Sequence, residues 1–232
     1  MAESRGILEW VRESWNRARE ILQTEGLLVL WMRLLGETVY RRLLIFRVDL
    51  PLAGQAAAAC WVGGDDALAT VLQFNPELTP EEARWRLALG HRCLVLKEAD
   101  AWVHCLWVAT RDAQMDYLGT EFVLATGEAY IYQTYTPPQY RGRGYATSAS
   151  IGLGRLLLAE GYTRLIYCVQ PDRAIAYPPL LRIGAKPVGY VGWVGVGRWR
   201  RVFRRATRSL PFYARRFPAV RSALRRDPPL RA

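Results

Sequence analysis

Apolar residues recur along this chain with two periods, and the switches between them outline its elements. Over 3–22, Ile7, Leu8, Trp10, Val11, Trp15, Ala18, Ile21 and Leu22 keep helical spacing, and a second helical pattern runs over 26–39. At 41–48 (RRLLIFRV) the composition turns strand-like, and a compact core is expected to begin there. Thr79-Pro80-Glu81-Glu82 predicts a helix start: threonine caps, proline suits the first turn and a glutamate stands at the capping-box position, with Gly90 as the stop. Residues 93–96 and 102–109 read as a hairpin, 121–124 as a short strand, and 163–169 as a later strand.

The change of period that carries chemistry falls at 139–146, QYRGRGYA. Before it, 129–136 (AYIYQTYT) is aromatic and β-branched, and Pro137-Pro138 forbids further ladder pairing. After it, Ile151, Leu153, Leu156, Leu157 and Leu158 give an apolar helical face that Gly161 stops. Gly142 and Gly144 thus lie between a strand and a helix. Glycine removes the side chain that would hold a pyrophosphate away from the amides, and a helix N-terminus offers unpaired N–H groups with partial positive charge.

These residues resemble the GNAT superfamily of N-acetyltransferases. Its acyl-CoA pyrophosphate loop, Gln/Arg-x-x-Gly-x-Gly/Ala, reads here as Gln139, Gly142 and Gly144. Upstream, Thr136 to Gly142 is similar to the family's V-x-P-x-y-R-G, with Thr136 in place of valine. Downstream, 182–189 (RIGAKPVG) looks like its k-l-G-F-r-p-v-G segment, so the resemblance covers roughly 90 to 197. It implies a mixed α/β fold, a splayed β-sheet flanked by helices. It also implies acetyl-CoA, or another acyl-CoA, as co-substrate, with no metal. Tyr135 and Thr136 would lie beside the pantetheine arm, and a main-chain N–H there would stabilise the oxyanion. Arg141 and Arg143 would meet CoA phosphates, while Gly142, Gly144, Tyr145 and Ala146 would offer backbone.

Charge adds a second feature. The chain carries 32 basic and 21 acidic residues, yet 198–232 alone holds twelve arginines and one acid, Asp227, which leaves 1–197 balanced at 20 and 20. Within 198–210, Trp199, Val202, Phe203, Ala206 and Leu210 follow helical spacing with Arg201, Arg204, Arg205 and Arg208 opposite, predicting a basic amphipathic helix; a second such segment follows Pro211. The organisation expected is therefore a helical extension (1–40), an acyltransferase domain (41–197) and a basic tail (198–232). The tail either packs on the domain or meets an anionic membrane surface or an acyl carrier protein. Nucleic acid is disfavoured, because no helix-turn-helix, zinc-finger or RNA-binding sheet signature accompanies the charge.

Cys60, Cys93, Cys105 and Cys168 show no C-x-x-C spacing, and His91 and His104 complete no metal motif, so reduced core thiols are expected. No secretory signal is evident, and the apolar run 27–35 is far shorter than the ~20 residues needed to span a bilayer. A cytoplasmic protein is expected, peripheral at the inner face of the membrane if the tail binds it.

The reaction expected is direct acyl transfer from the thioester to a primary amine of an amino sugar, another small amine or a protein terminus, a small-molecule acceptor being favoured. Glu128 is the first candidate base, ahead of Glu121 and His104. Family members commonly carry a tyrosine about four residues before the late glycine, here Gly184, to protonate the thiolate; Leu180 occupies that place, and Tyr177 lies seven before it, with Pro178-Pro179 expected to disrupt the helix between. Tyr177 is thus either a displaced acid or a packing residue. Two alternatives stand beside this function: an acyltransferase fed by an acyl carrier protein, and a noncatalytic acyl-CoA-binding or membrane-associated module.

Overall fold

The computed structural model describes residues 39–56, 58–62, 64–75, 78–99, 101–111, 113–115, 118–171, 173–196 and 199–208, with single positions between 15 and 35. The positions described between 15 and 35 are helical; the rest of the helices predicted over 3–22 and 26–39, and the basic segment after Pro211, lie outside the described residues. Contacts divide the chain into two units, the described residues of 1–42 and 191–204 and those of 43–190 and 205–232.

The larger unit is built on a mixed sheet. Its strands are β1 (Tyr40–Asp49), β2 (Ala59–Trp61), β3 (Arg92–Glu98), β4 (Ala101–Ala109), β7 (Glu128–Tyr135), β8 (Arg164–Val169) and the first half of β9 (Lys186–Val196), in the order β9-β1-β8-β7-β4-β3-β2. A separate two-stranded ribbon is formed by β5 (Ala113–Met115) and β6 (Thr120–Phe122). β1 with β8, β2 with β3, β3 with β4 and β4 with β7 pair antiparallel, whereas β7 and β8 run parallel, so that step needs a crossover, which α3 (Tyr145–Ala159) supplies.

Helices cover both faces. Leu153 and Leu157 of α3, with Tyr177 and Leu180 of α4 (Tyr177–Arg182), pack on Leu44, Phe46, Leu106, Ile131 and Leu165. On the opposite face Leu68 and Val71 of α1 (Gly64–Phe74) and Ala83 of α2 (Pro80–Ala88) meet Val95, Cys105 and Trp107. Each such fully buried aliphatic side chain contributes about 1.5–3 kcal/mol. The Thr79 hydroxyl accepts the Glu82 N–H at 3.2 Å and so caps α2 as its sequence predicts. α3 is clamped along its length: Arg92 donates to both oxygens of Glu160 at 2.8 Å beyond its C-terminus, and the Tyr145 hydroxyl donates to Glu98 at its first turn.

The smaller unit contains the far ends of β1 and β9 together with most of β10 (Trp199–Ala206). Here the structure corrects the sequence reading. The predicted basic helix of 198–210 is a strand over Trp199–Ala206, because β9 offers it a ladder and the sheet overrides a helical spacing that short apolar runs mimic easily. Phe203 of this strand stacks on Tyr40 with ring centroids 5.6 Å apart. Two smaller corrections concern the larger unit. Pro178-Pro179 do not disrupt a helix; they sit in the first turn of α4, where a missing N–H costs nothing. Cys60 is exposed rather than a core thiol, while Cys93 and Cys105 are buried, and all four cysteines are free.

Candidate functional site

The sheet parts where β7 meets β8. Their parallel pairing runs from Glu128↔Arg164 to Ile131↔Tyr167 and stops, although β7 continues to Tyr135. Beyond Tyr167, β8 stays with β1 through Cys168↔Ile45 and Val169↔Leu44. Within the last half of β7, Gln133 to Tyr135 lie past the β8 ladder and keep only the β4 side, leaving backbone groups on the other edge for a ligand. A bulge deforms the same half: Trp107↔Tyr132 is followed by Cys105↔Tyr135, and Gln133 between them has φ +43°. A left-handed non-glycine residue in a strand re-aims the neighbouring amides, the usual consequence of a bulge.

From that open edge the chain passes through a 3-10 turn, Pro138–Tyr140, into the glycine loop. Gly142 and Gly144 have φ of +81° and +84°, and a Cβ on either would meet nothing within 4 Å. Packing does not explain these glycines. The left-handed backbone does, and it leaves clear space in front of the amides. Gly144 is the N-cap of α3 and makes no side-chain capping bond, so the orphan donors of the first turn are left for another acceptor.

The candidate binding residues follow one another along 135–146. Gln139, Arg141, Gly142 and Arg143 are exposed around the loop, and Tyr145 and Ala146 open α3. The Arg141 Nε donates to the Thr136 carbonyl at 3.0 Å, tying the loop back to the strand end, and Arg143 lies over the Tyr140 ring. Tyr145 spends its hydroxyl on Glu98, and that bond raises its pKa. Tyr135 is paired with β4 opposite Cys105 and sets its ring edge-on against Phe74.

The first candidate base lies away from this loop. Glu128 opens β7, seven residues and about 23 Å of strand from Tyr135. Its carboxylate accepts from the Ala125 N–H at 3.1 Å and faces Arg164 at 3.7 Å, and it borders a shallow hollow of about 390 Å³ beside Thr126 and Tyr162 at that end of the sheet. Tyr177 is fully buried, packs edge-on against Phe46 and donates its hydroxyl to the Pro171 carbonyl at 3.0 Å. Glu121 is exposed on β6. Burial pushes the Cys168 thiol up to about 12, so it is no thiolate nucleophile at neutral pH.

His104 does reach the site. It is buried in β4 with Nδ1 2.7 Å from the Thr136 hydroxyl, and burial holds its pKa down at about 4, so the ring is neutral at physiological pH. Its Nε2 is buried and finds no hydrogen-bond partner among the described residues. Thr136 is thus held at its hydroxyl by His104 and at its carbonyl by Arg141. The bulge at Gln133 and this clamp carry no motif that reveals them in the sequence.

No protein-family model matches the sequence, and no curated protein does. Solved structures similar to the chain include acetyltransferases. One is a GNAT-family acetyltransferase from Colwellia psychrerythraea, with TM-score 0.49 and 12% identity, covering 76% of this chain and 60% of that one. A GCN5-related glucosamine N-acetyltransferase region of a fungal multi-domain β-N-acetylglucosaminidase gives 0.47 and 13%, covering 71% and 20%. A GCN5-related N-acetyltransferase from Kribbella flavida gives 0.44 and 13%, covering 67% and 59%. The chain thus spans three fifths or less of the length of these proteins.

Proposed function

We propose that this chain is an acyl-CoA-dependent N-acyltransferase that passes acetyl from acetyl-CoA to a primary amine of a small acceptor. One observation carries the reading: the unpaired edge of β7 leads directly, through two left-handed glycines with open space before them, into the uncapped N-terminus of α3. That is a continuous run of backbone donors and acceptors suited to an extended arm ending in a pyrophosphate.

In this reading the amides of Gly142, Gly144, Tyr145 and Ala146 receive the pyrophosphate, with Gln139, Arg141 and Arg143 around it. The pantetheine arm lies along the edge ending in Tyr135 and Thr136, and a re-aimed amide near the Gln133 bulge donates to the thioester oxygen. The acceptor's neutral amine attacks the carbonyl carbon, the oxyanion forms against that amide, and its collapse breaks the C–S bond to release CoA thiolate. The proton lost by the amine passes through water, and the departing thiolate takes one up. Glu128 and Tyr177 are left out of these steps, because their polar atoms are committed elsewhere and Glu128 lies at the far end of β7. His104 acts through Thr136 as a positioning residue.

Among the described residues no helix is long and apolar enough to cross a membrane, and no cluster of His, Cys, Asp and Glu could hold a metal. A cytoplasmic setting, where acetyl-CoA is made and used, suits the reading. The test is thiol release from acetyl-CoA over a panel of primary amines, with acetylated product identified by mass. Turnover on at least one amine supports the reading. Turnover only with acyl groups on a carrier protein would assign the donor to that carrier, and acetyl-CoA binding without turnover would make the chain a noncatalytic module.

A further inference from the structure

The β9–β10 ribbon exposes what a folded edge normally covers. Trp199 is 87% exposed, Val196 70% and Val202 56%, with Val194 also exposed. Alternation places Gly192, Val194 and Val196 on one face of β9, and a Cβ at Gly192 would run into the Phe203 ring, so Phe203 shares that face. On β10 the same alternation puts Trp199 and Arg201 with Phe203, and Arg200, Val202 and Arg204 on the reverse. Two valines and a tryptophan therefore stand together beside Arg201, with Arg200 and Arg204 close behind.

Charge selects the occupant. From 191 to 204 the chain contains four arginines and no acid, and Arg200, Arg201 and Arg204 are exposed. Arg200 rests over the Trp193 ring at 4.3 Å, a contact that keeps its charge. The same unit carries further exposed apolar side chains at positions described as helical: Leu27, Trp31, Leu34 and Leu35. A nucleic-acid duplex would pair with the arginines through its phosphates but give valine and leucine no apolar layer to enter, and an acidic protein would need an apolar groove matched to this ribbon. A bilayer with anionic headgroups satisfies both, since phosphates meet guanidinium groups while tryptophan and aliphatic side chains reach the acyl boundary.

We propose that this ribbon, led by Trp199 and flanked by Arg200, Arg201 and Arg204, docks the protein on an anionic lipid surface. The inference is independent of the acyl-transfer reading. The full chain is floated with vesicles of phosphatidylcholine alone and of phosphatidylcholine mixed with phosphatidylglycerol, beside two variants. One replaces Arg200, Arg201 and Arg204 by Gln; the other is Trp199→Ser with Val196→Ser. All three changed arginines are exposed, and unaltered thermal unfolding checks that each variant folds. The expected result is binding to the anionic vesicles only. The arginine variant should bind roughly a hundredfold more weakly, at about fivefold per arginine near the surface, and the Trp199/Val196 variant at least tenfold more weakly. Equal binding to both vesicles, no binding, binding unchanged in either variant, or retention on duplex DNA or an acidic protein in place of vesicles would each overturn the proposal.

Discussion

At the scale of single residues, the loop was legible and the clamp behind it was not. Gly142 and Gly144 announce themselves because a strand pattern and a helix pattern leave them no other place, and both adopt the left-handed backbone that glycine permits. Gly144→Ala places a Cβ in open space, so its effect is on the backbone alone: a loss of about 1–2 kcal/mol in unfolding stability, with acetyl-CoA affinity reduced at least tenfold as the amides are displaced. Glu128 shows the opposite. Nearness in sequence to Thr136 made it a candidate base, but a strand advances about 3.3 Å per residue, and eight residues separate proximity along the chain from proximity in space. Glu128→Gln should therefore leave the rate constant for thiol release within about twofold while loosening the Arg164 contact.

His104 supplies a pH test. Its folded pKa, about 4, lies below the ordinary histidine value of 6.5. The unfolded chain thus binds a proton over a range where the folded chain does not. Stability from this group is complete above pH 6.5 and falls as pH drops from 6.5 towards 4, by about 3 kcal/mol at most. Denaturant unfolding between pH 7 and pH 4 should show that slope in the natural protein and a flatter one in His104→Gln. If Thr136 is positioned through His104, the same variant should also lower kcat with KM little changed.

At the scale of elements, the sequence is most informative where local chemistry closes on itself. The Thr79 cap of α2, the β3–β4 hairpin and the α3 stop at Gly161 all follow from neighbouring residues, and each is found in the structure. Thr79→Ala removes the acceptor for the Glu82 N–H and should cost about 1 kcal/mol by thermal unfolding, with no effect on acetyl-CoA binding. Elements that depend on distant partners were not legible. β10 has a helical apolar spacing, yet it becomes a strand because β9 is there to pair with it. β9 itself contains Gly189, Gly192 and Gly195, and at Gly189 and Gly195 the backbone of β10, at Arg205 and Trp199, lies closer than any Cβ would allow. The early end of β7–β8 pairing likewise depends on where β8 goes next, to β1, a choice made by a strand more than a hundred residues earlier.

At the scale of the whole molecule, one basic excess confined to 198–232 and one open strand edge account for the two surfaces on which function is proposed. The second of these is the proposed acyl-CoA site, made mainly of backbone between β7 and α3. Calorimetric titration of the full chain with acetyl-CoA, run beside Gly144→Ala, tests it most directly. Saturable one-to-one binding by the natural protein, weakened at least tenfold in the variant, is the predicted result. Heatless mixing at millimolar acetyl-CoA, or binding that Gly144→Ala leaves unchanged, would contradict it.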